Sequence, residues 1–319
     1  MSRRFVWLAI AIIAATALYT AGWFYAAGRL EAATDAAIAR ITSDGGRAGC
    51  ANRTARGYPF RIGLFCDEVA LDDRDDRFNF RADGLRSAAQ IYNPTHIVGE
   101  LDEAWFDLFA SPTPYGVHFE GIRFSTRIAN PLPERISVTS GPISVDENPL
   151  SRGLLIVFSA NGGETHLRRN GDDIDIAMSG EGISARAINR QIDVERFLAD
   201  LTIDDGVRLA AEPPKSLRGL SVTLRDVSVM LAGDARVAVS GPIAVDSEGL
   251  VNAKLQLTAH KPREIAAFLA DLMPEQRGQV TSVAAGLAAL GETPSLPLTI
   301  VKGQARLAFV TLGDIPPLR

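Results

Sequence analysis

Ala253-Lys254-Leu255-Gln256-Leu257-Thr258-Ala259-His260 alternates apolar and polar residues at every step. Successive side chains of a β-strand point to opposite faces, so this stretch makes one dry face and one wet face. Upstream, Phe60, Ile62, Leu64 and Cys66 alternate with Arg61, Gly63, Phe65 and Asp67. That predicts a second strand with a mostly apolar face. The polar run Asp72 to Asp76 reads as a hairpin turn, with Phe78 and Phe80 opening the return strand. Similar runs, separated by Gly, Asn, Asp or Pro, cover Leu85 to Tyr92, His96 to Leu101, Val117 to Ile128 and Ile136 to Thr139. They continue through Leu154 to Ala160, Thr165 to Arg169, Ile174 to Ser179, Leu220 to Leu231, Ala235 to Val245 and Leu250 to Ala259. Two final strands are expected at Leu298 to Val301 and Gln304 to Leu312. Short runs at this regular spacing predict a large antiparallel sheet.

A few helices interrupt the pattern. Pro262 suits a first helical position and Glu264 the first turn, while Ile265, Phe268, Leu269 and Leu272 form one apolar stripe before Pro274. Val194 to Leu201 is read as another short helix, because Phe197-Leu198-Ala199-Asp200-Leu201 is identical to Phe268-Leu269-Ala270-Asp271-Leu272. A third helix is expected from Val280 to Leu290, ending at Gly291. Ser140-Gly141-Pro142-Ile143 with Val145-Asp146 recurs as Ser240-Gly241-Pro242-Ile243 with Val245-Asp246. The two matches have different periods, which suggests duplicated strand and helix modules and no strict tandem array. Chance recurrence of a phrase rich in turn residues is the alternative.

The N-terminus has a different character. Arg3 and Arg4 precede an uncharged run from Phe5 to Gly28, built on Phe5, Val6, Trp7, Leu8, Ile10, Ile12, Ile13 and Leu18. Crossing about 30 Å of hydrocarbon takes roughly 20 apolar residues. The arginines hold the N-terminus in the cytoplasm, and Trp23, Phe24 and Tyr25 suit the far interface. A cleaved signal with its site at Ala15-Thr16-Ala17 is the competing reading. The apolar run continues past that site into the aromatic cluster, which favours a retained anchor. Leu30, Ala33, Ala37, Ile38 and Ile41 keep helical spacing, so the helix extends to about Thr42 before Ser43-Asp44-Gly45-Gly46 ends it.

With 319 residues, 46% of them hydrophobic and 22% charged, the chain can bury a core of its own. Its net charge of −5 and lack of a basic patch argue against nucleic acid. Cys50 and Cys66 lie outside the cytoplasm in this topology, and a structural disulfide is the default reading. A metal or redox pair is the alternative, with no C-x-x-C spacing or nearby histidine behind it. The four histidines, His96, His118, His166 and His260, stand apart on separate strand candidates without metal-ligand spacing. No G-x-S-x-G elbow occurs. Gly180-Glu181-Gly182-Ile183-Ser184-Ala185 fits the outline of a dinucleotide fingerprint, but a tight turn is the better reading. The Asp72 to Asp76 cluster lacks the spacing of a calcium loop. No catalytic residue, metal ligand or cofactor is therefore expected.

Cys50, Gly57-Tyr58-Pro59-Phe60-Arg61-Ile62, Cys66 and Ala89-Gln90-Ile91-Tyr92-Asn93-Pro94 together resemble the N-terminal pattern of an uncharacterised family of bacterial membrane-anchored proteins, the domain of unknown function 2125. The likeness extends to Gly241-Pro242-Ile243 and to Gly313-Asp314-Ile315-Pro316-Pro317-Leu318. That family carries no assigned reaction. More distantly, one span followed by a long antiparallel sheet is similar to the AsmA-like envelope proteins. That resemblance implies a curved β groove whose apolar inside holds acyl chains.

The expected fold is mostly β with a few short helices (α+β): an N-terminal transmembrane helix followed by a large curved antiparallel sheet with a groove-like form. Residues 1–29 are the cytoplasmic tip and anchor, 30–46 a helical extension and linker, and 47–319 a periplasmic β-rich domain. The expected location is the bacterial inner membrane, single-pass, with the body in the periplasm. The leading functional reading is binding or shielding of lipid in envelope assembly, with Ile62, Leu64, Val222, Leu224, Leu255, Leu257, Leu307 and Phe309 as groove candidates. Plain core packing is the alternative for each of these. The rival reading is a structural or adaptor protein that docks a membrane or envelope partner. Intact-mass measurement of protein taken from membranes is expected to include the residues before Leu18; a mature N-terminus at Leu18 would mean the signal is cleaved.

Overall fold

In the computed structural model, residues 3–318 are described except 76, 110–112, 149–155, 188–189, 213, 215 and 309. Helix α1, Arg3–Ser43, has 41 residues. At 1.5 Å per residue it is about 60 Å long, twice the hydrocarbon thickness of a bilayer. Gly46 follows its end in a tight fit, where an added Cβ would lie 2.9 Å from the Asp72 carbonyl oxygen and 3.1 Å from Ile41 Cγ2.

The chain forms two compact units, residues 1–127 with 146–154, and 128–145 with 155–319. In the first, β1 (Arg47–Cys50) and β2 (Thr54–Arg56) both pair with one edge of β3 (Arg61–Asp72). An antiparallel meander then runs through β4 (Phe78–Gln90), β5 (Asn93–Leu108) and β6 (Tyr115–Arg127). Cys50 and Cys66 are joined in a disulfide across this edge, with Cα atoms 5.3 Å apart. Such a bridge contributes roughly 3 kcal/mol by restricting the unfolded chain.

The second unit contains β7 (Arg135–Ser140), β9 (Ile156–Ala160), β10 (Gly162–Asn170), β11 (Asp173–Ala187) and β12 (Arg190–Ile203). It continues with α2 (Gly206–Ala211), β13 (Ser221–Met230), β14 (Arg236–Val245), β15 (Val251–His260), α3 (Pro262–Leu272) and α4 (Arg277–Ala289). The last strands are β16 (Ser295–Val301), β17 (Gln304–Leu307) and β18 (Val310–Asp314), while the short β8 (Ile143–Asp146) has residues 143–145 in the second unit and Asp146 in the first. From β10 to β18 every strand pairs antiparallel with its neighbour in sequence, and β7 joins the free side of β10. A large antiparallel sheet with few helices is the observed architecture.

Two local readings are corrected. Val194 to Leu201, expected as a helix, lies inside strand β12, although the same pentapeptide is helical in α3. Five residues with this apolar pattern satisfy either geometry. Ile192 and Val194 extend the first copy with alternation, and backbone pairing on both sides completes the strand. Pro262 at the first helical position and Ala266 and Ala267 favour the helix in the second. Likewise Gly180 to Ala185, expected as a tight turn, runs through the middle of β11.

Gly182 in that stretch has φ +56° and faces Asn161, whose side chain would lie 2.1 Å from an added Cβ. On one side of this row the apolar positions are Leu167, Ile176 and Leu201, paired across β10, β11 and β12. On the other side they are Phe158, Ala185 and Ile192, so the apolar alternation has slipped by one residue. The first unit does the same at the row of Asp67, Gly84, Asp102 and Gly121, where Gly84 has φ +64° and Gly121 φ +61°. Ile62, Ala89 and Ile97 are the apolar row before it, and Val69, Ala82, Ala104 and Phe119 the apolar row beyond it. A left-handed residue interrupts the two-residue pleat, and glycine adopts it without a steric penalty.

Gly241 also requires its glycine: φ is +128°, and an added Cβ would sit 2.2 Å from the Lys254 carbonyl oxygen on β15. Gly171, at φ +65°, has nothing within 4 Å. Gly241→Ala is expected to cost about 1–3 kcal/mol, clearly more than Gly171→Ala, in thermal or urea unfolding followed by circular dichroism.

Candidate functional site

Strand register assembles one apolar face in the second unit from residues far apart in sequence. Ile174, Ile203, Val222, Ile243, Ala253, Ile300 and Ala305 lie in one row across β11 to β17. A second row holds Ile136, Leu167, Ile176, Leu201 and Leu224, which pairs with Gly241, and beyond it Leu255, Leu298 and Leu307. Val138, Thr165, Met178, Ala199, Val227, Val239, Leu257 and Leu296 form the third.

Most of these side chains are only half-buried. Among the described residues no large side chain is completely buried, and the least exposed apolar positions are Ala82, Ala104 and Ala235. A conventional core would enclose leucines and phenylalanines of this kind. Helix α3 covers one end of the face, where Ile265, Phe268 and Leu269 pack with Leu231, Ala235, Val229 and Val237. Beside it, Ile265, Leu269, Val280, Val283 and Leu287 line an apolar hollow of about 240 Å³ between α3, α4 and β15.

Of the residues singled out from sequence, Val222, Leu224, Leu255, Leu257 and Leu307 come together on this face. Ile62 and Leu64 lie on the sheet of the first unit, and Phe309 falls outside the described residues. Ile174, Ile176, Ile203, Ile243, Leu298 and Ile300 were missed as members of the face. Alternation within their own strands carried the signal, and Leu201 was lost to the helical reading.

The opposite face of the same strands is polar and knitted by charge. A β-bulge at Arg225 turns its side chain across two neighbouring strands. Arg225 Nε donates to Asp200 Oδ1 at 2.9 Å and Nη1 to Asp175 Oδ1 at 3.0 Å. Asp175 also accepts from Thr202 Oγ1 at 2.8 Å and from Arg168 Nη2 at 2.7 Å. The carboxylate is buried, and its hydrogen bond from Arg168, reinforced by Thr202 and Arg225 against the cost of burial, holds its pKa down at about 2. Arg135, His166, Arg168 and Arg225 line a hollow of about 260 Å³ here. Both Asp175 oxygens are engaged, so this network holds four strands together and presents no free general base.

The histidines stay apart. His118 stacks on Trp105 at 5.0 Å, His166 lies 3.5 Å from Glu164, and His260 bonds Thr293 at 2.8 Å.

In the first unit, α1 is fastened to the β2–β3 connection. The Trp23 indole N–H donates to the Arg61 carbonyl at 2.8 Å, and the Tyr19 hydroxyl donates to the Pro59 carbonyl. Thr20 Oγ1 and the Tyr58 hydroxyl are 2.8 Å apart, and the Trp23 ring meets Tyr58 edge-on at 5.5 Å. Trp23, expected at a lipid interface, is instead buried against the protein, whereas Phe5, Trp7, Leu8, Ile10, Ile12, Ile13, Leu18, Phe24 and Tyr25 are exposed. Farther along, Glu31 accepts from the Ala55 N–H at 2.9 Å and Asp35 from Arg53 at 2.9 Å, so the helix continues beside the sheet edge.

Fold and site define a class: a β-rich body on one N-terminal helix that is long and apolar enough to cross a membrane, with a disulfide suited to an oxidising compartment. The chain belongs to the bacterial family described as "Uncharacterized protein conserved in bacteria (DUF2125)", which matches residues 23–316. The match begins at Trp23 and so takes in that residue of the helix dock and the whole β2–β3 connection. No curated protein and no solved structure matches the chain.

A carboxylate whose folded pKa is depressed contributes stability above its unfolded pKa, and that contribution is lost as pH falls through the folded value. For Asp175 it amounts to about 1–2 kcal/mol at neutral pH, after allowing for solvent screening of the half-exposed guanidiniums. Asp175→Asn is therefore expected to lower stability at pH 7. Its gap from wild type should narrow as unfolding is measured from about pH 5 toward pH 2.

Proposed function

We propose that this protein is a membrane-anchored, periplasmic β-rich protein that binds or shields lipid acyl chains during assembly or maintenance of the bacterial envelope. The observation that carries this reading is the continuous apolar face of the second unit, whose leucines and isoleucines are lined up in register yet only half-buried. Alkyl chains bind such surfaces by the same apolar burial that would otherwise build a core. The helix α1 as a retained inner-membrane anchor would tether the chain to a membrane that supplies lipid. A single anchor on a long antiparallel sheet is also the architectural basis for a relationship to AsmA-like envelope proteins. We assign no reaction, metal or cofactor to the chain, because its best-defined charged cluster is occupied with holding strands together.

One observation favours a second reading, an adaptor for an envelope protein. Strand β18 pairs with β17 and is exposed along its whole length, with Val310 and Leu312 both more than half exposed. An exposed edge of this kind can accept a strand from a partner.

The two faces of the second unit's strands provide the test. A photoreactive side chain placed at Leu224 or Leu298 of the full chain in native membranes is expected to crosslink phospholipid. The same group at Thr223 or Lys254, on the polar face, is not. Equal lipid labelling of both faces, or labelling of protein alone at Leu224 and Leu298, would sink the lipid reading in favour of the adaptor.

A further inference from the structure

The end of the first unit from which the apolar part of α1 emerges is aromatic and basic. Phe60 is 70% exposed beside Tyr58 in the β2–β3 connection, and Tyr92, 77% exposed, tips the β4–β5 turn. The two loops are joined by the Ile91 N–H, which donates to the Phe60 carbonyl at 3.1 Å. Phe24 and Tyr25 project from the helix at the same level, with Phe24 stacked on Tyr58 at 6.2 Å.

A single exposed aromatic needs no explanation. Several on two adjoining loops and one helical turn, at the end of an apolar span, match the belt found where membrane meets water. The level also fits: from Phe5 to Trp23 a helix rises about 27 Å, close to the roughly 30 Å of hydrocarbon in a bilayer. Residues 55–61 and 89–96 contain no carboxylate, although the chain as a whole is acidic, and Arg61 is exposed among the aromatics. Beyond the dock, α1 and β3 leave this rim together and meet again at its far end, where Gly46 abuts Asp72.

We propose that this rim is seated in the phospholipid headgroup layer of the membrane that α1 crosses, so that the first unit stands on the bilayer with its strands leading away from the surface. The proposal rests on the reading of α1 as a retained anchor. Aromatic side chains are favoured at that depth because their rings leave bulk water while their polar edges stay hydrated.

The chain has no free cysteine, so one introduced thiol reports one position. Phe60→Cys and Tyr92→Cys of the full chain are labelled with an environment-sensitive fluorophore and reconstituted in phosphatidylcholine–phosphatidylglycerol vesicles. Both probes are expected to shift to the blue and to lose emission to a nitroxide carried on lipid headgroups. The probe at Asp75→Cys, at the other end of the strands, is expected to be quenched by aqueous iodide alone. If both rim probes behave like the Asp75 probe while the protein resists alkaline extraction, the rim proposal fails and the anchor stands. A blue shift without nitroxide quenching means that protein covers the rim, and it overturns the proposal as well. Release of the protein by alkaline extraction overturns both readings.

Discussion

Antiparallel backbone pairing between sequence neighbours is the constraint on which the rest of this structure depends. Each residue in a paired strand is held opposite a fixed partner, and a slip of one would move a whole strand's apolar set to the other face. From β11 to β17 the register carries Ile174, Ile203, Val222, Ile243, Ala253, Ile300 and Ala305 into one row. No single pair in that row is strong. Their common orientation turns weak local alternation into a broad apolar surface.

The glycine rows show how this order survives over long strands. At Gly182, Gly84 and Gly121 the backbone takes a left-handed turn within the strand, and the apolar phase shifts by one residue in the neighbouring strands too. Because the shift is shared, strand pairing continues past it in the same register. The bulge at Arg225 is a different device, since it belongs to β13 alone and directs one guanidinium to Asp175 and Asp200 on the polar face. One face is thereby locked by charge and the other left to apolar contact.

The first unit couples this design to the N-terminal helix. Trp23 and Tyr19 bind the β2–β3 connection through backbone carbonyls, and the disulfide between Cys50 and Cys66 braces the same edge of β3. Helix and sheet edge are thus joined through groups whose geometry is tightly set. The Gly57-Tyr58-Pro59-Phe60-Arg61 motif supplies the Pro59 and Arg61 carbonyls and the Tyr58 side chain on which the helix rests.

Much of this was legible in the sequence. Two-residue alternation located most of the strands, because burial of one face imposes that period directly. Length and the absence of charge marked the apolar part of α1, Pro262 marked α3, and the two cysteines marked their bridge. Other features lay beyond any local pattern. Phe197 to Leu201 became strand and Phe268 to Leu272 helix, because hydrogen bonds from β11 and β13 stabilise one copy and a proline start with alanines stabilises the other. Ser140-Gly141-Pro142-Ile143 joins β7 to β8, whereas Ser240-Gly241-Pro242-Ile243 lies within β14. The sequence by itself therefore determined which segments are two-faced and which segment can cross a membrane, since these follow from side-chain period and hydropathy. Only the tertiary structure decided which leucines share a face, that Trp23 turns onto the protein and that Asp175 is bound from three sides, because those contacts join residues that are neighbours through strand pairing and not through the chain.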